Sequence, residues 1–428
     1  MIRALVQSSR LHLRDIGVGA TLAVTAALSS FGGTAHLDPV LLHPATEDVW
    51  FQSDIPRVYE SMTRRDGDYY RSSSVHPLFA FATLPPVSAL YKGLGLEAIT
   101  AVRIVLAIVA ALWVVAFFVI LRLAGLPRLD ATLFTLVAIV SAAAVFWFSV
   151  PETYAFGSLS ILFALAVVAA GQRVALKERW YVVASIASFG FTVTNWMAGI
   201  AASFVSLRWK RAVMMTVNAF LIATALWLVQ RHFVPGADSF LNPNLEKKYL
   251  LTAEAGGPAV VLRSFFFHGV VMPGIETIER INPPGWPIMS VQHSSAWGGG
   301  TLAFIASSAW LALLLLGAWA FAVARENLNL RMVIGAVLIG QLVLHLLYGE
   351  ETFLYSLHFA PLLVLVGAFA TTTYMRPIAL TLAVVLIGCG GANNIMRLFE
   401  ATAFFQSGSV SARADVLREK MARSDDPW

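Results

Sequence analysis

One cysteine, Cys389, stands in 428 residues, so no disulfide within the chain can brace any part of it. Charge is scarce as well. Asp, Glu, Lys and Arg together make up 13% of the chain, against about 25% in soluble domains. A surface in water cannot be covered with so few charges. A soluble enzyme, a nucleic-acid-binding domain and a disordered scaffold are therefore excluded as the main reading. There is no His-Glu-x-x-His and no histidine pair at helical ligand spacing, so no zinc motif is present. Neither an internal repeat nor an attached soluble domain is visible.

What the chain has is apolar residues, 58% of the total, with a mean hydropathy of +0.71. They fall in runs near the ~20 residues that an α-helix needs to cross a bilayer. The sequence therefore predicts an all-α polytopic membrane protein, one integral domain over residues 1–428. Spans are expected at about 16–33, 100–121, 131–149, 153–172, 180–194, 196–207, 212–230, 299–324, 332–348, 356–373 and 377–396. The first ends in small residues, as signal peptides do; an uncleaved first span is the preferred reading, since the residues after it look functional.

The charges orient these spans. Segments 1–15, 122–130, 173–179, 208–211, 325–331 and residue 376 carry 14 basic residues and 4 acids, namely Asp15, Asp130, Glu178 and Glu326. Short basic connections belong in the cytoplasm. The net charge of +5 is thus topological, and the partner it implies is a lipid bilayer, with no nucleic acid. The long segments 34–99 and 231–298, and the tail 397–428, fall on the other side. Only there is enough polar chain collected to build a site.

Residues 34–99 alternate acids, arginines and aromatics. Glu47-Asp48-Val49-Trp50-Phe51-Gln52-Ser53-Asp54-Ile55-Pro56-Arg57 is followed by Arg64-Arg65-Asp66-Gly67-Asp68-Tyr69-Tyr70-Arg71 and Val75-His76-Pro77. The plain alternative is an interfacial loop, with Trp50, Tyr59, Tyr69 and Tyr70 at headgroup level. Residues 77–92, with Pro85-Pro86, read as a helix along the membrane surface.

A basic N-terminus, one span, an acid-bearing outer loop, a His-Pro-apolar segment and Arg103 opening the next span form a recognisable order. Val150-Pro151-Glu152-Thr153-Tyr154, Gly190-Phe191-Thr192-Val193-Thr194-Asn195-Trp196 and Leu354-Tyr355-Ser356-Leu357-His358-Phe359-Ala360-Pro361 extend it. The arrangement resembles the GT-C glycosyltransferases that use polyprenyl-phosphate sugars, such as protein O-mannosyltransferases and the lipid A aminoarabinose transferase. The resemblance covers about residues 1–210 well and the rest in patches. It implies a GT-C-like bundle of about 11 spans with surface helices in the first outer loop. It also implies transfer of a sugar from a polyprenyl-phosphate donor to a glycan, lipid or protein acceptor, at the outer face of the cytoplasmic membrane. The resemblance places the acceptor-activating acid at Asp54, with Asp48 as the fallback.

The residues support that chemistry independently. A carboxylate in partly apolar surroundings can serve as a base. Asp54 precedes Ile55-Pro56, which equally suits a helix N-cap. Arginine forks bind phosphate oxygens. Arg57, Arg71 and Arg103 are the nearest candidates, with Lys247, Lys248 and Arg263 more remote; each is also a plausible headgroup contact. His76, Glu152, Tyr154, Tyr355 and His358 complete the expected substrate-binding set. No cofactor is expected, because ligand spacing does not support a divalent metal, although some enzymes of the resembled fold use one. In the second loop, Val260–Met272 reads as a surface helix or lid, or else as a structural cap on the bundle. The rival function is a transporter or flippase of lipid-linked sugars. Transporters place ionisable groups at the bilayer midplane, and apart from the boundary residues Arg103 and Glu152 only His345 is ionisable in an interior position of a predicted span.

Overall fold

A computed structural model describes residues 13–67, 74–237, 239–241, 247–279, 285–406 and 408–423. The chain is helical almost throughout. Helix α1, Leu13–Ala35, leads into two 3-10 turns and a short α2, Ile55–Thr63. Helix α3, Phe79–Ser88, carries Pro85 and Pro86 and runs on through a π turn to Gly93. Helix α4, Ala98–Ala124, ends where Gly125 turns left-handed at φ 101°. The N–H of Leu126 then reaches back to Leu121 O at 3.2 Å, a glycine cap that satisfies the last carbonyls.

Helices α5, Arg128–Val140, and α6, Ala142–Trp147, are two pieces of one broken rod; α7 is Tyr154–Gly171. Helices α8, Arg179–Phe191, and α9, Trp196–Ser206, meet at a 3-10 turn over Val193–Asn195, and α10 is Trp209–Phe233. The second loop holds α11, Pro258–Arg263, and two three-residue strands, β1 Glu276–Ile278 and β2 Ile288–Ser290, paired antiparallel. Then come α12, Thr301–Val323, α13, Leu328–Leu347, and α14, Ser356–Ala368. Helix α15, Arg376–Val385, passes through a π turn into α16, Gly391–Thr402, and α17 is Gly408–Arg423.

Among the described residues, eight helical segments are long and apolar enough to cross a membrane: Leu13–Ala35, Ala98–Ala124, Tyr154–Gly171, Trp209–Phe233, Thr301–Val323, Leu328–Leu347, Thr352–Thr372 and Arg376–Gln406. The chain is thus an all-α, multi-pass membrane protein. The other three expected spans, 131–149, 180–194 and 196–207, hold α5–α6, α8 and α9. Each of these helices is 13 residues or shorter, because polar breaks at Ser141 and Thr192–Asn195 interrupt them.

Arginines gather at one end of the bundle. Asp15, only 2% exposed, receives Arg122 at 3.2 Å and Arg128 at 2.7 Å. Arg376 grips Asp130 through two bonds of 2.7 and 2.8 Å. Arg173 donates to Leu123 O and to Asn327 Oδ1, both at 2.8 Å. The two long loops lie at the opposite end, and there Arg418 of α17 pairs with Asp38.

The segment Val260–Met272 departs from the lid reading. Val261, Phe265, His268, Val270, Val271 and Met272 are buried, and Phe265 stacks on Phe359 of α14 at 4.1 Å. It is a wedge inside the bundle. Its backbone fills the break at Ser141: Ala142 N donates to Val270 O and Ala143 N to Gly269 O. Asn394 completes the join, donating to Val140 O at 2.8 Å and Val270 O at 2.9 Å and accepting from Met272 N at 2.8 Å. Without water to pair with, a broken helix in the bilayer needs such partners.

Candidate functional site

A cavity of about 550 Å³ opens at the loop end of the bundle. Its walls come from the first long loop, the entry to α7, the α8–α9 break, the second loop around Lys248 and Tyr249, and the facing ends of α13 and α14.

The first wall is acidic and rests on a strained loop. Asp48, Phe51 and Gln52 have φ of 70°, 51° and 62°, the left-handed region that costs such residues of order 1–3 kcal/mol each. An aromatic lock holds them. Phe51 is fully buried, with ring centroids of Phe353 at 5.3 Å and of Trp50 and Phe146 at 5.6 Å. The loop closes on itself through Gln52 N to Asp48 O and Asp48 N to Ser53 O, and Val49 O accepts from Met289 N. Trp50 is 1% exposed, so it is a core residue and not a headgroup aromatic.

This bend brings the carboxylates of Glu47, Asp48 and Asp54 within 4.8 Å of one another. Three such oxygens suit a hard cation, but the positive charge among them here is Arg57, paired with Glu47 and with Asp54 at 3.0 Å. Asp54 stands at the N-cap position of α2, yet its side chain makes no capping bond. It turns towards Arg57 and keeps a half-exposed carboxylate at the cavity wall.

Glu152 faces the same cavity from the entry to α7. It is 1% exposed, and its Oε2 has no hydrogen-bond partner among the described residues. Burial pushes its carboxyl well above the usual range; the Asp54 charge adds to this and Arg57 partly offsets it. Two carboxylates in one cavity thus have different environments, one paired and wet, the other dry.

His76 is a cross-link. Its Nδ1 lies 2.5 Å from Phe191 O and its Nε2 3.2 Å from Thr153 Oγ1. A carbonyl can only accept, so Nδ1 carries the proton and Nε2 accepts from the threonine. Burial lowers its pKa to about 4, so the ring is neutral at pH 7. Together with Leu78 N to Gly190 O at 2.8 Å, it ties the first loop to the α8–α9 break.

Of the residues picked from sequence, the structure brings Asp48, Asp54, Arg57, His76, Glu152, Tyr154, Tyr355 and His358 to this cavity. Arg103 does not line it. It sits at the start of α4 beside Tyr59, where its charge works against the burial that lifts the Tyr59 phenol to about 12. Arg71, Tyr69 and Tyr70 lie outside the described residues. Arg263 bonds His293 O at 2.8 Å, away from the cavity. Lys248 does line it, with its ammonium 4.4 Å from the Tyr249 ring centroid. Sequence reasoning overlooked Gln341, Tyr348 and Glu350, which also face the cavity. Gln341, a lone amide inside an apolar run, was the available signal.

Glu351, just behind this wall, is 1% exposed. Its Oε2 accepts from Ser290 Oγ at 2.6 Å, Val291 N at 3.1 Å and Gln292 N at 3.2 Å. Burial raises its pKa to about 7 despite these donors. The folded form therefore holds a proton that the unfolded chain, near 4.5, has released. Stability from this group is greatest at or below pH 4.5 and is lost as pH rises through about 7. Thermal unfolding of E351Q in detergent should show a smaller fall between pH 5 and 8 than the parent. An equal fall in both would remove Glu351 as its source.

Comparison with models of protein families, with curated proteins and with solved structures finds no match.

Proposed function

We propose that the protein is a membrane glycosyltransferase that moves a sugar from a polyprenyl-phosphate donor to an acceptor hydroxyl. The reading is carried by one observation: a single cavity pairs an exposed carboxylate, Asp54, with a buried one, Glu152, and has Lys248 in another wall. Transfer from a lipid phosphate needs a base for the acceptor proton and a cation for the departing phosphate. Asp54 takes the proton, Glu152 stays protonated and donates a hydrogen bond, and Lys248 and Arg57 meet the phosphate. Environments that push two carboxyls apart define such roles. The arginine-rich end of the bundle is cytoplasmic by the positive-inside rule, which puts the cavity on the outer face of the cytoplasmic membrane, with a GT-C-like arrangement of about eleven passes. Nucleotide sugars are absent there, so a donor delivered within the membrane suits the site.

A flippase needs a path between both ends of the bundle, and the charged residues lining this cavity sit at its loop end. The test is purified protein in vesicles with labelled polyprenyl-phosphate sugars and a mixed acceptor pool. Turnover is the expected result. Lipid movement between leaflets with no sugar transfer would overturn the reading in favour of the flippase.

A further inference from the structure

Below the charged rim the cavity changes character. Its charged lining residues are Asp48, Asp54, Arg57, Glu152, Lys248 and Glu350, none of them in a membrane-crossing helix. Gln341 lies seven residues before Tyr348 along α13, about 10 Å deeper at 1.5 Å per residue. It is fully buried and donates to Asn195 Oδ1 at 2.9 Å. That bond leaves Gln341 Oε1 and Asn195 Nδ2 without partners, although both side chains are fully buried. His358 Nε2, on a ring 2% exposed, is unpartnered too.

His358 Nε2 and Asn195 Nδ2 converge beside Gly157, and Gln341 joins them through its bond to Asn195. A Cβ on Gly157 would meet His358 Nε2 at 2.5 Å, Asn195 Nδ2 at 3.0 Å and Thr192 Oγ1 at 2.9 Å. The bare glycine leaves them room to point together. Above them Tyr355 stacks on His345 at 4.8 Å, and Tyr154 closes edge-on at 5.3 Å from Tyr355. Buried polar groups are nearly always paired, so an unmatched amide donor, an amide acceptor and an imidazole nitrogen call for a ligand that supplies both kinds of group. Hydroxyls do both. Among the described residues, no Asp, Glu, Lys or Arg that lines the cavity lies on α13, on α14 or in the α8–α9 break, so a charged substituent would be stripped of water there with nothing to balance it.

We infer that this floor is a subsite for an uncharged, hydroxyl-rich ring, a neutral hexose or pentose, with amino sugars and uronic acids excluded. The inference rests on the glycosyltransferase reading only for what the ring is attached to; the floor itself is testable with phosphate-free ligands. The probes are labelled octyl glycosides of a neutral hexose, of the matching amino sugar and of the matching uronic acid, with octanol as the sugar-free control. Binding is measured to the whole protein in nanodiscs. The neutral glycoside should bind at least about tenfold tighter than either charged one, the loss of one or two hydrogen bonds per ring being worth that much. Gln341→Leu should remove most of that preference and leave octanol binding unchanged, with thermal unfolding confirming that the variant is folded. Equal binding of the three glycosides by the parent protein, or tighter binding of a charged one, would overturn the subsite. If the neutral glycoside is selected but no polyprenyl-phosphate hexose competes with it, the subsite stands and the donor reading falls.

Discussion

Asp54→Asn is expected to cut sugar transfer by about 10²–10⁴-fold, the usual contribution of a positioned general base, with donor binding retained. The amide keeps the shape of the carboxylate, and Arg57 keeps Glu47 as a partner. Only the proton-accepting charge is lost, and one negative charge leaves a cavity that must also take a phosphate. Glu152→Gln is the matched control. Burial favours the neutral form of Glu152, which an amide copies well, so transfer should stay within about threefold of the parent, a change worth under one ordinary hydrogen bond. Single-turnover rates and donor affinity measured on both variants separate the roles. Near-normal transfer in Asp54→Asn with a dead Glu152→Gln would exchange the two assignments, and near-normal transfer in both would move the base to Asp48.

The helical membrane class and the sidedness of the charges were legible because bilayer crossing imposes length and composition directly. Most of the cavity was legible for a related reason. Residues at the same ends of spans that pack together must share a surface, which collects Glu152, Tyr154, Tyr355 and His358 wherever the first loop goes. Arg103 fails that logic. It too sits at a span end, but a span end has two sides, and the amphipathic face of α2 that carries Tyr59 claims it. The carboxylate trio was not legible, since spacing alone gives no hint that Asp48, Phe51 and Gln52 take left-handed backbone and fold Glu47 back onto Asp54. The wedge was hidden for the opposite reason. An apolar stretch between Pro-Gly turns reads as a surface helix, lid or cap until the polar break at Ser141, more than a hundred residues earlier, is seen to need its backbone.

That wedge yields the largest expected effect on stability. Asn394 is fully buried, and its amide serves Val140 O, Val270 O and Met272 N. Val270 O keeps Ala142 N if the amide is removed, but Val140 O and Met272 N lose the partner seen here. Each buried backbone group left unmatched costs about 1–3 kcal/mol, so Asn394→Leu should destabilise the fold by about 2–6 kcal/mol. Its neighbour Asn393 donates to Met272 O at 2.8 Å and to Asn394 Oδ1 at 3.2 Å, so it serves a single backbone group. Asn393→Ala should therefore cost roughly half as much or less. Thermal unfolding in detergent ranks the two. Leucine has as many side-chain heavy atoms as asparagine, branched at the same carbon, so a large loss in Asn394→Leu does not report a void. The wedge does not line the cavity, but its Phe265 lies flat on Phe359, next to His358 on α14. Protein that stays folded should keep its transfer rate per molecule. A melting temperature for Asn394→Leu equal to that of the parent would mean that the break at Ser141 finds other partners, and that Asn394 does not hold the two halves of the bundle together.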